Sequence, residues 1–164
     1  MENNRQIRSN LWAALEELSD EQLNTRVEEG RWTIAQVLEH LYLIEKSLTR
    51  AMAKTLREGE VRPVETKPFF QTLDRSRLFP APPYLVPAEG YYTKEELRGK
   101  LDASRQDLEQ LLAGISDEVL AQKSFPHPVF GLMDLRQWLT FIGVHEQRHW
   151  GQIEELKQGL PAGA

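Results

Sequence analysis

Three segments of the chain share one helix-starting pattern, and this repetition constrains the fold more than any other feature of the sequence. A capping residue (Thr33, Thr93 or Asp134) is followed three positions later by Gln or Glu, with apolar residues on both sides. The capping side chain accepts a hydrogen bond from a first-turn N–H, and the later side chain can reach back to the N–H of the capping residue. The sequence therefore predicts three helices beginning at these positions.

A fourth helix is predicted near the N-terminus, from about Asn4 to Leu18, because its apolar residues recur with the spacing of one helical face. The second helix should run to about Glu58, with Gly59 as the left-handed residue that ends it. The third should end near Gly114 and the fourth near Gln158. Residues 1–164 are thus predicted to form a single all-α domain, a four-helix bundle.

The connection between the second and third helices, residues 60–92, holds six of the nine prolines in the chain. Proline at this density excludes a helix or a central strand. The sequence therefore predicts a long Pro-rich crossover, and a crossover of this length makes the two helices that it joins parallel. Covering a site and serving as a plain strap along the bundle are both compatible with its length.

Composition excludes several kinds of site. The chain has no cysteine, so disulfides, thiolate ligands and a cysteine nucleophile are all ruled out. A net charge of −5 without any basic stretch argues against binding of nucleic acid. No apolar run reaches the roughly 18 residues of a membrane span, and the N-terminus lacks the apolar region of a secretory signal, so we expect a cytoplasmic location.

Two histidines lie on the apolar face of the predicted fourth helix. His145 and His149 are one turn apart, in the middle of a stripe that otherwise consists of Leu135, Trp138, Ile142, Ile153 and Leu156. A buried imidazole without a partner costs about 1–3 kcal/mol, and one divalent ion would satisfy both rings. We predict that they are metal ligands, the alternative being core histidines with hydrogen-bond partners.

His40, on the shoulder of the apolar stripe of the second helix, is the predicted third ligand. If the second and fourth helices are antiparallel, His40 and His149 lie about 10–14 Å from the same end of the bundle, at 1.5 Å per residue. The three imidazoles can then meet. His127 lies in a proline-flanked segment and is expected to be a loop residue rather than a ligand.

The segment from His145 to His149 also matches the H-E-x-x-H pattern of zinc proteases, in which the glutamate is the general base. Those enzymes take a third ligand from further along the chain, and no histidine follows His149. The protease interpretation therefore fails. Glu146 remains a candidate general base, with a solvated carboxylate on the helix surface as the alternative.

The chain resembles the DinB-like (DinB/YfiT-like) family through three segments: residues 32–40 with His40, residues 127–131, and residues 145–153 with the histidine pair and a Gln-Ile pair. The resemblance implies a four-helix bundle that binds Zn²⁺ or Ni²⁺ through His40, His145 and His149, commonly as a homodimer. Characterised relatives include transferases and isomerases that use a low-molecular-weight thiol, and others are described as metal-dependent hydrolases.

Three protein ligands would leave an open coordination position, as in catalytic rather than structural sites. We therefore predict a metal-dependent transferase that activates a small thiol toward an electrophilic small molecule. Two alternatives stay open: a metal-dependent hydrolase with Glu146 as general base, and a non-catalytic metal-binding stress protein. Four crossover residues are expected to line the substrate pocket: Arg75, Arg77, Tyr84 and Tyr91.

Overall fold

The computed structural model describes residues 1–162, which fold around four long helices joined by shorter elements. The helices are α1 (Glu2–Leu15), α2 (Asp20–Leu23), α3 (Ile34–Glu58), α4 (Lys94–Leu112), α5 (Asp117–Gln122) and α6 (Leu135–Gln158). The four long helices α1, α3, α4 and α6 make the bundle, so the predicted fold class is confirmed. α2 and α5 are short helices within the connections.

Contacts between side chains fix the directions of the helices. Glu39 of α3 pairs with Lys100 of α4, and Glu45 pairs with Arg105. Residue numbers increase in the same direction along both helices, so α3 and α4 are parallel, as the long crossover predicts. Near the start of α1, the Asn4 side chain donates to the Leu139 carbonyl of α6, and near its end the Ala14 carbonyl accepts from Lys157. Helices α1 and α6 are therefore also parallel. The His40 contacts to α6, described below, are compatible with the antiparallel packing of α3 and α6.

The helix starts follow the predicted pattern, with one difference. Thr33 with Gln36 and Thr93 with Glu96 each form the reciprocal capping box. Asp134 accepts from the Gln137 N–H, but the Gln137 side chain does not reach back to the Asp134 N–H. Its oxygen instead accepts from the Lys67 N–H at 2.7 Å, so this side chain ties the crossover to the start of α6.

One predicted helix end is wrong, and a second helix ends at the predicted residue, Glu58, but not in the predicted conformation. The first helix ends at Leu15, not Leu18, because Ser19 caps α2 in a capping box of its own with Gln22. Gly59 is extended, with φ −69°, so it does not end α3 in the left-handed conformation. The third helix ends at Leu112, two residues before Gly114, which has φ +77°.

A small antiparallel hairpin precedes α6 and was not predicted. Strand β1 (Ser124–His127) pairs with β2 (Gly131–Asp134), and Gly131 adopts φ +72°. The hairpin is held on α6 by Trp138, whose ring stacks on Phe125 at 4.4 Å and whose N–H donates to the Phe125 carbonyl. Packing against α6, rather than strand propensity in a segment with two prolines, is what stabilises it.

The core consists of two apolar clusters that lie at different depths along the bundle, one around Leu11, Leu38 and Ile153 and the other around Met52, Leu108 and Met133. The crossover packs on the bundle through two 3₁₀ turns, Phe69–Leu73 and Pro83–Leu85, which bury Phe69 and Leu85. Within residues 1–162, no helix has both the length and the apolar character needed to cross a membrane.

Candidate metal centre

Three imidazoles meet between α3 and α6. Nε2 of His145 lies 3.3 Å from Nε2 of His40 and 3.1 Å from Nε2 of His149. One candidate ligand atom from each of the three residues lies within 4.8 Å of the others. The structure thus brings together all three residues that the sequence selected as ligands.

Two local features bring the rings to this point. His145 and His149 are four residues apart on α6, so their side chains project one above the other on one helix face. The capping box at Thr33 fixes where α3 begins, so that His40, seven residues further on, lies about two turns from the start of the helix. The antiparallel packing of α3 on α6 then sets the three histidines side by side.

The outer nitrogens of two rings have oxygen partners that fix their tautomers. Nδ1 of His40 donates to the Leu85 carbonyl at 2.7 Å, and Nδ1 of His149 donates to the Gln152 side-chain oxygen at 2.7 Å. With the hydrogen on Nδ1, Nε2 of each ring presents a lone pair to the centre of the cluster. Gln152 was not predicted as a site residue, although it lies one turn beyond His149.

Burial keeps all three imidazoles neutral. It lowers the pKa of His40 and, together with the neighbouring His149 and His40, lowers the pKa of His145 well below its ordinary value. The pKa of His149 falls to about 3, mainly through burial and then through His40. Because an imidazole binds a metal in its neutral form, the cluster is ready to act as a ligand set at neutral pH.

The spacing of the three nitrogens fits a divalent transition metal. Two nitrogens that each lie about 2.1 Å from a tetrahedral ion are about 3.4 Å apart, close to the two separations measured here. Without a cation, the lone pairs of His40 and His149 would both face the single Nε2 of His145, which can donate to only one of them. The donor set therefore fits Zn²⁺ or a similar ion, with at least one coordination position left for a further ligand.

Glu146 is not a member of this cluster. Its carboxylate pairs with two arginines, Arg8 and Arg105, and only 2% of the residue is exposed. The alternative of a solvated surface carboxylate is therefore wrong. The geometry gives no support to the general-base role either, because ion pairs with two guanidinium groups occupy both carboxylate oxygens.

The crossover is tied to α6 beside the site by Arg148, which the sequence analysis also missed. Its guanidinium donates to the carbonyls of Thr72, Asp74 and Arg77 at 2.6–2.9 Å, and it lies 5.1 Å from the ring of Phe79. Arg148 sits between the two histidines of α6 in sequence, so the H-x-x-x-H segment both carries two of the candidate ligands and anchors the crossover.

The four crossover residues expected to line a substrate pocket have other surroundings. Arg75 pairs with Glu155 at 2.9 Å, and Arg77 donates to the side-chain oxygen of Gln71. Tyr84 and Tyr91 are largely exposed, and Tyr91 lies beside Glu21 of α2. The crossover residue that reaches the cluster is Leu85, through its carbonyl, and a backbone contact of this kind leaves no signal in the sequence.

Two aromatic rings lie next to the cluster. The Trp32 ring lies 5.0 Å from that of His40, and the Phe141 ring lies 5.7 Å from that of His145. His127 also packs against Phe141, with ring centroids 5.0 Å apart, and is not part of the cluster. Its Nδ1 accepts from the N–H groups of Val129 and Phe130, and burial lowers its pKa to about 4.

Fold and site together define a class of protein: four-helix bundles with three clustered histidines contributed by two antiparallel helices. Comparison with known families gives the family itself. The model of the DinB superfamily matches residues 4–153, and the chain belongs to this superfamily. Among its relatives, the YuaE protein of Bacillus subtilis (strain 168) is 33% identical over 155 residues, covering 94% of this chain and 95% of YuaE.

Another relative, from Geobacillus thermodenitrificans (strain NG80-2), is named "Putative metal-dependent hydrolase" and is 34% identical over 94% of this chain and 80% of its own length. Two solved structures share the fold. TT2238, described as a four-helix bundle protein, superposes with a TM-score of 0.63 at 24% identity, covering 94% of both chains. YfiT from Bacillus subtilis, described as having an unusual four-helix bundle topology, gives 0.62 at 21% identity over 96% of this chain and 83% of that one.

Proposed function

We propose that this protein is a metal-dependent enzyme that activates a low-molecular-weight thiol at His40, His145 and His149 for attack on an electrophilic small molecule. The observation that carries the proposal is the convergence of three neutral Nε2 atoms at spacings that fit one ion. Zn²⁺ and Ni²⁺ are the metals we expect, since imidazole ligands bind both and supply decides between them.

The histidines would hold the ion, and their neutrality matters for what it binds next. Three neutral ligands leave the full charge of a divalent ion uncompensated, which favours an anion at the open position. When bound, such an ion ionises a coordinating thiol and lowers the pKa of a coordinated water to about 7. The chain supplies no thiol of its own, so the nucleophile would arrive with the cosubstrate.

The absence of a carboxylate from the cluster supports a thiol over water as the nucleophile. Among residues 1–162, the grouped ligand atoms come from three histidines alone, and Glu146 is held by arginines. A thiol that coordinates such an ion ionises outright and needs no protein base, whereas a coordinated water keeps a pKa of about 7. Trp32 and Phe141 give the site apolar sides suited to a hydrophobic electrophile.

Metal-dependent hydrolysis is the second candidate, because the relative from Geobacillus thermodenitrificans carries that name. A non-catalytic metal-binding protein is the third. Even if the protein is a hydrolase, we do not expect Glu146 to act as its general base, since the Glu146 carboxylate pairs with Arg8 and Arg105. Homodimer formation and a cytoplasmic location stay predictions.

Metal analysis followed by a thiol-consumption assay tests the proposal. The purified protein should carry or take up about one equivalent of Zn²⁺ or Ni²⁺, and His149→Ala should lose it, while His127→Asn should keep it as the matched histidine control. The metal-loaded protein should then consume bacillithiol or a comparable thiol in the presence of a haloalkane or an epoxide.

Turnover of esters or amides without thiol consumption would favour the hydrolase. No activity in either assay, despite stoichiometric metal, would favour the non-catalytic metal-binding protein. A wild-type protein that takes up no divalent metal would overturn all three.

A further inference from the structure

Four charged side chains meet in the interior of the bundle, one from each long helix: Arg8 of α1, Glu45 of α3, Arg105 of α4 and Glu146 of α6. These residues are referred to below as the charged quartet. Their exposed fractions run only from 1% to 7%. Two positive and two negative charges balance, so the group is neutral as a whole.

Each arginine of the charged quartet bridges both carboxylates. Nε of Arg105 lies 2.9 Å from Glu45, and its Nη2 lies 3.0 Å from Glu146. Nε of Arg8 pairs with Glu146, and its Nη2 lies 3.4 Å from Glu45. A single guanidinium thus joins α3 to α6, although it belongs to neither helix.

The remaining donors of the arginines bond the backbone of neighbouring helices. Nη1 of Arg8 donates to the Leu101 carbonyl of α4 at 3.0 Å, and Nη1 of Arg105 donates to the Asn4 carbonyl of α1 at 3.1 Å. The Ser104 hydroxyl donates to Glu45 at 2.6 Å. The charged quartet is therefore hydrogen-bonded to all four helices and leaves no carboxylate without a partner.

Buried ion pairs of this kind contribute little net stability, because the cost of removing charges from water offsets their attraction. What they do specify is geometry. The guanidinium is a planar fork with fixed donor directions, and it satisfies two carboxylates only when their helices stand at one axial offset. A slip of a single residue moves a helix by about 1.5 Å, enough to break such contacts.

The helices joined in this way are the ones that carry the candidate ligands. Glu146 is adjacent to His145 on α6, and Glu45 lies five residues after His40 on α3. We infer that the charged quartet is a register device, whose members act as positioning residues that bring His40 to the depth of His145 and His149. This inference rests on the proposed metal site only for its effect on metal affinity.

Arg105→Lys is the sharpest test, because it keeps the charge balance of the interior while removing the fork that spans Glu45 and Glu146. The matched control is Arg5→Lys, the same substitution in an exposed pair in which Arg5 of α1 contacts Glu109 of α4 at 2.7 Å. Co²⁺ titration, followed through the visible d–d bands of the bound ion, reports both affinity and coordination geometry. We expect Arg105→Lys to bind Co²⁺ at least tenfold more weakly with altered bands, and Arg5→Lys to match the wild type.

A second measurement follows the register without any metal. The chain has no cysteine, so Arg50→Cys on α3 and Gln147→Cys on α6 introduce the only thiols, both at exposed positions suited to spin labels. Pulsed electron–electron distance measurements should show one narrow distance distribution in the otherwise wild-type background. With Arg105→Lys added, the distribution should shift or broaden, and with Arg5→Lys it should not.

The outcomes separate this inference from the proposed function. Unchanged Co²⁺ binding and an unchanged distance distribution in Arg105→Lys would overturn the inference. A wild type that binds no metal would overturn the proposed function, and the distance distributions alone would then decide the register role. If Arg105→Lys does not fold, Arg8→Lys removes the other bridging fork and is judged by the same two measurements. If neither variant folds while Arg5→Lys does, the charged quartet is a requirement for folding and the positioning role is overturned.

Discussion

Single residues outside the histidine cluster determine which nitrogen each ring presents. The Leu85 carbonyl and the Gln152 side chain hold the hydrogens of His40 and His149 on Nδ1, so that Nε2 faces the centre. Of these two partners, only Gln152 can be changed by substitution without altering the backbone. It is therefore the residue at which the contribution of tautomer and ring orientation can be measured.

Gln152→Leu should weaken metal binding by about 10–100-fold, the usual effect of losing the partner of a metal-bound histidine. The His149 ring would then be free to rotate and to place its hydrogen on either nitrogen. Competition with a chromogenic chelator measures the affinity. Gln147→Leu, an exposed glutamine on the same helix, is the control, and equal affinities in the two variants would contradict the assignment.

His127 should make stability fall in mild acid. Its pKa is about 4 in the folded protein, against an ordinary value of 6.5. Between these values the unfolded chain binds a proton that the folded chain does not, so unfolding becomes easier as pH falls from about 6.5 toward about 4. His127→Asn, which keeps an acceptor for the turn, should lose less free energy of unfolding than the wild type between about pH 7 and about pH 5. Urea titrations measure this, and parallel pH profiles for the two proteins would exclude His127 as a contributor.

His145 and His149 could be selected from the sequence because helix periodicity shows which face a residue occupies, and His40 because the long crossover predicts its depth in the bundle. The surroundings of Glu146 could not be predicted in the same way. Its partner Arg8 lies 138 residues earlier in the chain, and only the packing of α1 beside α6 brings the two together. The sequence shows which face of the helix Glu146 occupies, but its ion-pair partners depend on which helices pack against that face.

At the scale of helices, the close approach of α1 to α6 depends on the missing side chain of Gly143. A Cβ at this position would lie 3.1 Å from Cγ of Asn4 and 3.3 Å from Cδ1 of Ile7, and closer still to the Asn4 oxygen. Asn4 is held in place by its hydrogen bond to the Leu139 carbonyl at 2.9 Å. The two helices can therefore approach each other this closely only with glycine here.

Gly143→Ala should lower the free energy of unfolding by about 1–3 kcal/mol, because Asn4 or the whole of α1 must move. Gly151→Ala in the same helix is the matched control, since a Cβ there would meet only the Arg75 side chain at 3.8 Å. The control should gain about 0.5–1 kcal/mol from helix propensity. Chemical denaturation of both variants tests the pair, and equal effects would show that α1 does not pack as described.

Arg148 determines whether the crossover stays on the bundle. Arg148→Met removes donors to three crossover carbonyls and should make limited trypsin cleavage at Arg75 and Arg77 several-fold faster while the helices stay folded. Mass spectrometry of the fragments locates the cuts. Arg136→Met, an exposed arginine near the start of α6, is the control, and cleavage at the same rate in both variants would argue against the anchoring role.

The helix starts were predictable because a capping box is a local signal, complete within six residues. The hairpin before α6 was not, since one of its two short strands contains proline and the hairpin is stabilised by Trp138 rather than by its own sequence. The end of the first helix was also not predictable, because Ser19 begins a new helix only four residues after Leu15. The apolar spacing of the first helix extends to Leu18, whereas the capping box at Ser19 starts another helix, and the sequence alone does not show where the first helix ends between them.

For the molecule as a whole, the proposed metal would link two helices far apart in the chain, since His40 and His145 are 105 residues apart. Free ion at about 100 times its dissociation constant should add about 2.7 kcal/mol to the free energy of unfolding, provided that the unfolded chain does not bind it. The melting temperature should then rise by about 5–10 °C. Differential scanning fluorimetry with and without chelator measures the shift, and His149→Ala should show none.

The overall topology could be predicted because a 33-residue, proline-rich connection leaves parallel helices as the simple solution. The path of that connection could not, because it is fixed by backbone carbonyls that bond Arg148 and His40. The sequence therefore predicted the bundle and the clustering of the three histidines, but not the contacts that place the crossover beside them.

Parallel α3 and α4 force the chain to return along the whole bundle before α4 can begin, and this return path lays Leu85 against His40. The ligands belong to the rigid helices, while one side of the site belongs to a segment that carries none of them. If the histidines hold the proposed metal, the bundle can keep the ion while changes in residues 60–92 alter which molecules enter beside it. Exchanging this segment between relatives would then transfer substrate preference without transferring the metal.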